Sequence, residues 1–183
     1  MQKYLKTTAV VLALLALALT AGLVGQGLPP PEESAPVPLL KYDEESFDLD
    51  SGTTKSLVVS EDGGVRYTVR VSSISSSSSE DNRARSYKTT LTPEETESLV
   101  ALLNRKSIRS LSAKFESKNA LPFKRNLVIQ ITRGNEKQNI HIIRFSPQLN
   151  HYPPGLLDLM EKIDRLAEKT VGSSASESSK KNE

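Results

Sequence analysis

The sequence contains no cysteine. That absence removes disulfides, thiol nucleophiles, thiolate metal sites and a lipid-modified cysteine behind an export signal. A chain that folds outside the cytoplasm without them must hold itself together by packing alone. Histidine is nearly as scarce: His141 and His151 are the only two, and they fit neither HExxH nor any three-ligand spacing, so no metal site is expected. No glycine-rich loop suits a phosphate, no GxSxG elbow presents a serine, and no Ser-x-x-Lys falls in an active-site context. The sequence therefore names no catalytic residue, no cofactor-binding residue and no cofactor, and the expectation is a protein that is not an enzyme.

An excess of charge is missing too. The formal net charge of +2 comes from 24 basic and 22 acidic residues, and Lys3 and Lys6, ahead of the first apolar run, account for the difference. A nucleic-acid reader draws most of its non-specific affinity from a net basic face, so nucleic acid is not an expected partner. With 37% hydrophobic and 25% charged residues in 183, the chain has room for one modest core plus extra segments.

The extras lie at the ends. Residues 1–24 read as an export signal or a membrane anchor: Lys3 and Lys6 precede Thr7 to Val24, a run of Leu, Ala and Val without a charge. As a helix the run would span about 27 Å, close to a bilayer's hydrocarbon thickness. Ala21, Gly22 and Gly25 suit cleavage although no clean Ala-x-Ala follows, so cleaved signal and retained anchor both stay open. In either case the lysines stay inside while Glu32 and Glu33 follow the run, which places the rest extracytoplasmically: periplasmic, secreted, or anchored with the domain outside. Residues 25–41 carry five prolines and read as an extended spacer. From Thr170 to Glu183 apolar periodicity stops, and a disordered tail is expected. The serine-rich run Ser72 to Ser86 reads as a long loop inside the domain. That leaves 42–169 as the folded unit.

Within it, two apolar runs separated by Asp62, Gly63 and Gly64 predict a hairpin from Ser56 onward, with Val65, Tyr67, Val69 and Val71 alternating with Arg66, Thr68 and Arg70. Phe47 and Leu49 alternate with Asp48 and Asp50 as a start of the sheet, and Tyr87 to Leu91 reads as a further short strand. Leu91 to Arg105 packs Glu94, Glu95 and Glu97 into four positions. Thr92 suits an N-cap, Pro93 the first helical position and Glu95 the capping-box partner, so these carboxylates open a helix rather than catalyse. Residues 126–133 and 138–145 predict a second hairpin around Gly134 and Asn135. A last helix from Pro153 or Pro154 to about Lys169 puts Leu156, Leu159, Met160, Ile163 and Leu166 on one face. The fold class expected is α+β, an antiparallel sheet of four or five strands packed on two helices in a two-layer sandwich.

Two groups of residues remain as candidates for function. Asp48 and Asp50 resemble the start of a calcium loop, but Gly52 and Val59 stand where its fifth and twelfth ligands belong. An envelope hydrolase or carbohydrate-binding enzyme would use this acidic segment or His151, which sits in a loop; His141 is expected on a wet strand face or in a polar pair. Arg105, Lys106, Arg109, Lys114, Lys118, Lys124 and Arg125 gather between the first helix and the second hairpin and read as a solvated segment offsetting Asp43 to Asp50.

Leu91-Thr92-Pro93-Glu94-Glu95 opening a leucine-rich helix, the later hairpin, and Pro154 starting a final helix with Leu157, Ile163 and Leu166 resemble the emfourin-type domains over about Ser56 to Leu166. That resemblance implies a small α+β fold and a role like that of members which inhibit thermolysin-like metallopeptidases. Where those members often carry an aspartate before the second hairpin, this chain has Leu121-Pro122-Phe123-Lys124-Arg125, so no inhibitory residue is carried over. The function expected is a non-enzymatic module that binds an extracytoplasmic protein, tethered through residues 7–24 if the leader is retained. Its binding residues and oligomeric state are left open.

Overall fold

Two glycines in the left-handed region turn the two hairpins. Gly63 has φ +82 and Gly134 φ +57, conformations that cost a side-chain-bearing residue strain. The computed structural model describes residues 37–48, 51–73, 84–117, 124–146 and 152–180. Around Gly63 the strands β2 (Ser51–Ser60) and β3 (Gly64–Ser73) pair antiparallel, and around Gly134 β6 (Lys124–Arg133) pairs with β7 (Glu136–Ile143). The other strands are β1 (Pro38–Phe47), β4 (Ala84–Thr90) and β5 (Lys114–Glu116), and the sheet order is β4-β3-β2-β1-β6-β7-β5. Only β5 runs parallel to its neighbour.

The architecture is α+β, as expected, but among the described residues the sheet has seven strands and there are three helices, not four or five strands and two. Three short or polar elements account for the difference. β1 starts inside the proline-rich stretch, at Pro38, and supplies the strand that joins the two hairpins, pairing with β2 on one side and β6 on the other. Its sequence KYDEES alternates, but acidic side chains on both faces hide the period. β1 ends at Phe47 and Asp48 follows it in the connection, while Leu49, expected in the same strand, lies outside the described residues. β5 has three residues, too few for a pattern, and the second helix, α2 (Lys106–Arg109), is a single turn.

The first helix, α1 (Pro93–Asn104), begins as its sequence dictates. Thr92 Oγ1 accepts the Glu95 N–H, Glu95 returns its carboxylate to the Thr92 N–H, and Pro93 needs no hydrogen-bond acceptor. Its buried side chains are Leu99, Leu102 and Leu103. The last helix, α3 (Pro154–Lys180), continues well beyond Lys169 into the stretch expected to be disordered. Thr170 is fully buried, and its hydroxyl donates to the Leu166 carbonyl one turn back. Ser173 and Ser174 make the same i−4 bond, and Ser174 Oγ also donates to the Lys88 carbonyl of β4. Tertiary contact, through the buried Thr170 and the Ser174 bond to β4, carries the helix where apolar periodicity has stopped.

All three helices lie on one face of the sheet. Leu40, Leu57, Val59, Ile129, Ile131, Ile140 and Ile142 share that face by register, and they form a single core with Leu99, Leu103, Leu156, Leu159, Ile163 and Leu166. The helix ends are tied down by the sheet. Arg133 donates through Nε and Nη2 to the Leu103 carbonyl, and Gln138 Nε2 reaches the Ile108 carbonyl. The Leu103 carbonyl lies in the last turn of α1, where helical donors run out, and the Ile108 carbonyl at the end of α2 also accepts the Leu111 N–H at 3.1 Å. Among the described residues no helix is long and apolar enough to cross a membrane. Residues 1–24, expected as an export signal or membrane anchor, lie outside the described residues.

Candidate functional site

Alternation along β1 sends Tyr42 and Glu44 toward the helices and Lys41, Asp43 and Glu45 to the opposite face. Glu44 is only 2% exposed, and a buried carboxylate needs partners. Register supplies them. Lys55 stands directly opposite on β2, with Nζ 3.4 Å from Oε1. Arg125 stands diagonally across on β6, with Nη2 2.8 Å from Oε2 and Nε 2.8 Å from Oε1. The Nε contact is ionic rather than a directed hydrogen bond. Tyr42 donates its hydroxyl to Oε2, so the carboxylate is held from three strands.

Arg125 then faces a groove of about 370 Å³ between α3 and the start of β6, lined by Phe145, Leu157, Met160, Asp164 and Glu168. Its guanidinium lies 5.0 Å from the Phe145 ring centre, Phe145 stacks on Tyr152 at 5.2 Å, and Phe115 meets Tyr152 edge-on at 6.3 Å. The buried hydroxyls of Ser146 and Tyr152 have no partner among the described residues, so packing rather than hydrogen bonding holds this stack.

The electrostatics fix these groups in one protonation state. Burial alone would raise Glu44, but hydrogen bonds from Arg125 and Tyr42 and the charges of Arg125 and Lys55 outweigh it and hold the carboxyl below its ordinary range. Burial and the Glu44 carboxylate push the Tyr42 phenol far above its ordinary range. Burial opposes the charge on Arg125, and Glu44 more than offsets it. General acid–base catalysis works best with a pKa near the working pH, and Glu44 and Tyr42 are driven away from it in opposite directions. Asp164 is pushed upward, first by burial and also by Glu44, against the pull of Arg125. The cluster thus acts as an ionic clasp joining β1, β2 and β6, a role that single-sequence reading missed because Glu44 and Arg125 lie 81 residues apart.

The residues singled out by sequence do not converge. Glu94 and Glu95 serve the α1 first turn, as expected, and both carboxyls are held low there. His141 is exposed on β7, on the face away from the helices. Asp48 sits in the β1–β2 connection, its N–H bonded to the Ser51 carbonyl at 2.8 Å, while Asp50 and His151 lie outside the described residues. The basic segment 105–125 separates into pairs: Arg105 with Asp158, Arg109 with Glu136, Lys114 with Glu116, and Arg125 with Glu44. Among the described residues only the last reaches the acidic Asp43 to Asp50 stretch. Among the described residues no group of three His, Asp or Glu side chains is placed to hold a metal.

The remaining candidate is the sheet face that, among the described residues, carries no helix. Register puts Lys41, Asp43, Glu45 and Phe47 of β1 on it, with Val58, Arg66, Thr68, Arg70, Lys88 and Val128 from the neighbouring strands. Phe47 is 51% and Val128 37% exposed. In comparison with known proteins the chain matches no family model, and no curated protein matches it.

Proposed function

We propose that the protein is a non-enzymatic binding module that works outside the cytoplasm, tethered through residues 7–24 or released from them, and engages another protein through the open face of its sheet. One observation carries this reading. Among the described residues seven strands form a broad surface whose helix-free side presents mixed polar and apolar side chains, the exposed Val128 and Phe47 and the half-buried Val58 among them. Rigid strands present such side chains in fixed positions, which limits the conformational cost of docking. The clasp supports the reading from the other direction, because Glu44 and Tyr42 are held where proton transfer near neutral pH is unfavourable. The emfourin resemblance makes an extracytoplasmic peptidase one partner to try first.

The test is affinity capture of the tagged full chain from its own envelope extract, in parallel with Val128→Asp and with Lys162→Ala on α3. One partner held in near-stoichiometric amount by the wild type and Lys162→Ala, and lost by Val128→Asp, is the expected result. Equal capture by all three would remove the sheet face from the reading, and cleavage of a substrate by the purified chain would overturn it.

A further inference from the structure

Resting on that reading, we infer that the β3–β4 half of the open face is built for a short acidic segment of the partner protein, two or three carboxylates held by Arg66, Lys88 and Arg70. Arg66 and Lys88 stand directly opposite one another in the β3–β4 register, both exposed and both on the open face. Like charges at directly opposed positions destabilise a sheet. Arg70 follows on the same face four residues along β3, about 13 Å away at the rise of a strand. Among the described residues eight ion pairs form, and none includes any of these three residues.

The ground between the cations is neutral and polar. Thr68 and Ser86 form the opposed pair between Arg66 and Arg70, linked Oγ1 to Oγ at 3.4 Å. The carboxylate facing them from β1, Asp43, is engaged by Lys41 at 2.9 Å and by Ser56 at 2.8 Å. Two guanidinium forks suit carboxylates, which they bind in bidentate fashion. A long polyanion fits worse, because the same face carries Asp43 and Glu45 on β1 and Glu116 on β5, which an extended chain of negative charge would meet. The segment docks through side chains rather than as an added strand, since Ser174 of α3 already occupies the outward Lys88 carbonyl of β4.

The experiment uses the full chain and a fluorescein-labelled peptide of alternating glutamate and serine, read by anisotropy, with a glutamine–serine peptide and polyphosphate as comparators. The expected result is salt-sensitive binding of the glutamate peptide, weakened at least tenfold by Arg66→Ala/Lys88→Ala and unchanged by Lys162→Ala, with circular dichroism unaltered in both variants. No binding of the glutamate peptide, equal binding of the glutamine peptide, or equal affinity in the double variant overturns the inference. Tighter binding of polyphosphate through the same two residues also overturns it and assigns the patch to a polyanion. The inference and the binding-module reading fail separately: capture of a partner that Val128→Asp loses and Arg66→Ala/Lys88→Ala keeps leaves the module and removes the acidic segment.

Discussion

Lys169 Nζ lies 2.5 Å from both carboxylate oxygens of Glu95, the residue that already accepts the Thr92 N–H in the α1 capping box. One carboxylate thus closes the first turn of α1 and fixes α3 to it. Both partners are more than one-third exposed, so solvent screens the pair and the cap carries most of the energy. Thr92→Ala is expected to cost about 1 kcal/mol. Lys169→Met should cost less, at most about 1 kcal/mol. Urea unfolding of the two variants checks the order, and a larger loss for Lys169→Met would show that the helix–helix tie dominates.

The Glu44–Arg125 clasp predicts a much larger effect. Glu44→Gln leaves a guanidinium with only 27% side-chain exposure and no counter-charge of equal quality. The expected loss is about 3 kcal/mol, while Glu44→Leu/Arg125→Met should lose less than Glu44→Gln because no buried charge is orphaned. The pH dependence has a definite sign. Glu44 is depressed in the fold, so its contribution is complete above the unfolded value of about 4.3 and is lost as pH falls from there through the folded value. Unfolding from pH 7 to pH 3 should show wild type and Glu44→Gln converging on the acid side, and a constant gap would exclude the carboxylate as the cause.

Two glycines of α3 should respond oppositely to alanine. A Cβ on Gly155 would stand 2.6 Å from the Ser107 carbonyl oxygen and 2.9 Å from its carbon, backbone atoms that cannot rotate aside. Gly155→Ala must push α3 off α2 and is expected to cost about 1–3 kcal/mol. A Cβ on Gly172 meets nothing within 4 Å, so Gly172→Ala should stabilise by about 0.5–1 kcal/mol through helix propensity alone. Thermal unfolding distinguishes the two, and a loss at Gly172 would show that helix propensity does not govern that turn.

Local chemistry made much of the fold legible in the sequence. The Thr92–Glu95 box, the Gly63 and Gly134 turns and the start of α3 at Pro154 each depend on neighbours in the chain, and each stands where the sequence places it. What escaped depends on partners far away. β1 is a strand because β2 and β6 lie on either side of it, and Glu44 tolerates burial because Arg125 arrives from β6. The alternation of β3 was legible, but its consequence was not: Val65 is 3% exposed and Val71 47%, because helix cover ends before the strand does. The Arg66–Lys88 juxtaposition was likewise unreadable, since register alone brings Tyr67 opposite Tyr87 and sets the charges beside them face to face.

The serine-rich end of α3 tests the same lesson. Thr170 is fully buried and Ser174 bonds to the β4 edge, so residues expected to be a tail help cover a sheet edge. Ending the chain after Lys169 removes both contacts and leaves the outward Lys88 carbonyl without its partner. Truncation there is expected to cost about 1 kcal/mol or more, by loss of buried contact and of a cap on a strand edge. Ending the chain after Ser174 keeps both contacts and should leave stability nearly unchanged. Edge exposure adds a second signature, since an uncovered β4 is free to pair with another molecule. Sedimentation velocity should therefore show concentration-dependent association for the shorter chain alone; two equally stable monomeric truncations would return Thr170 to Lys180 to the role of a passive tail.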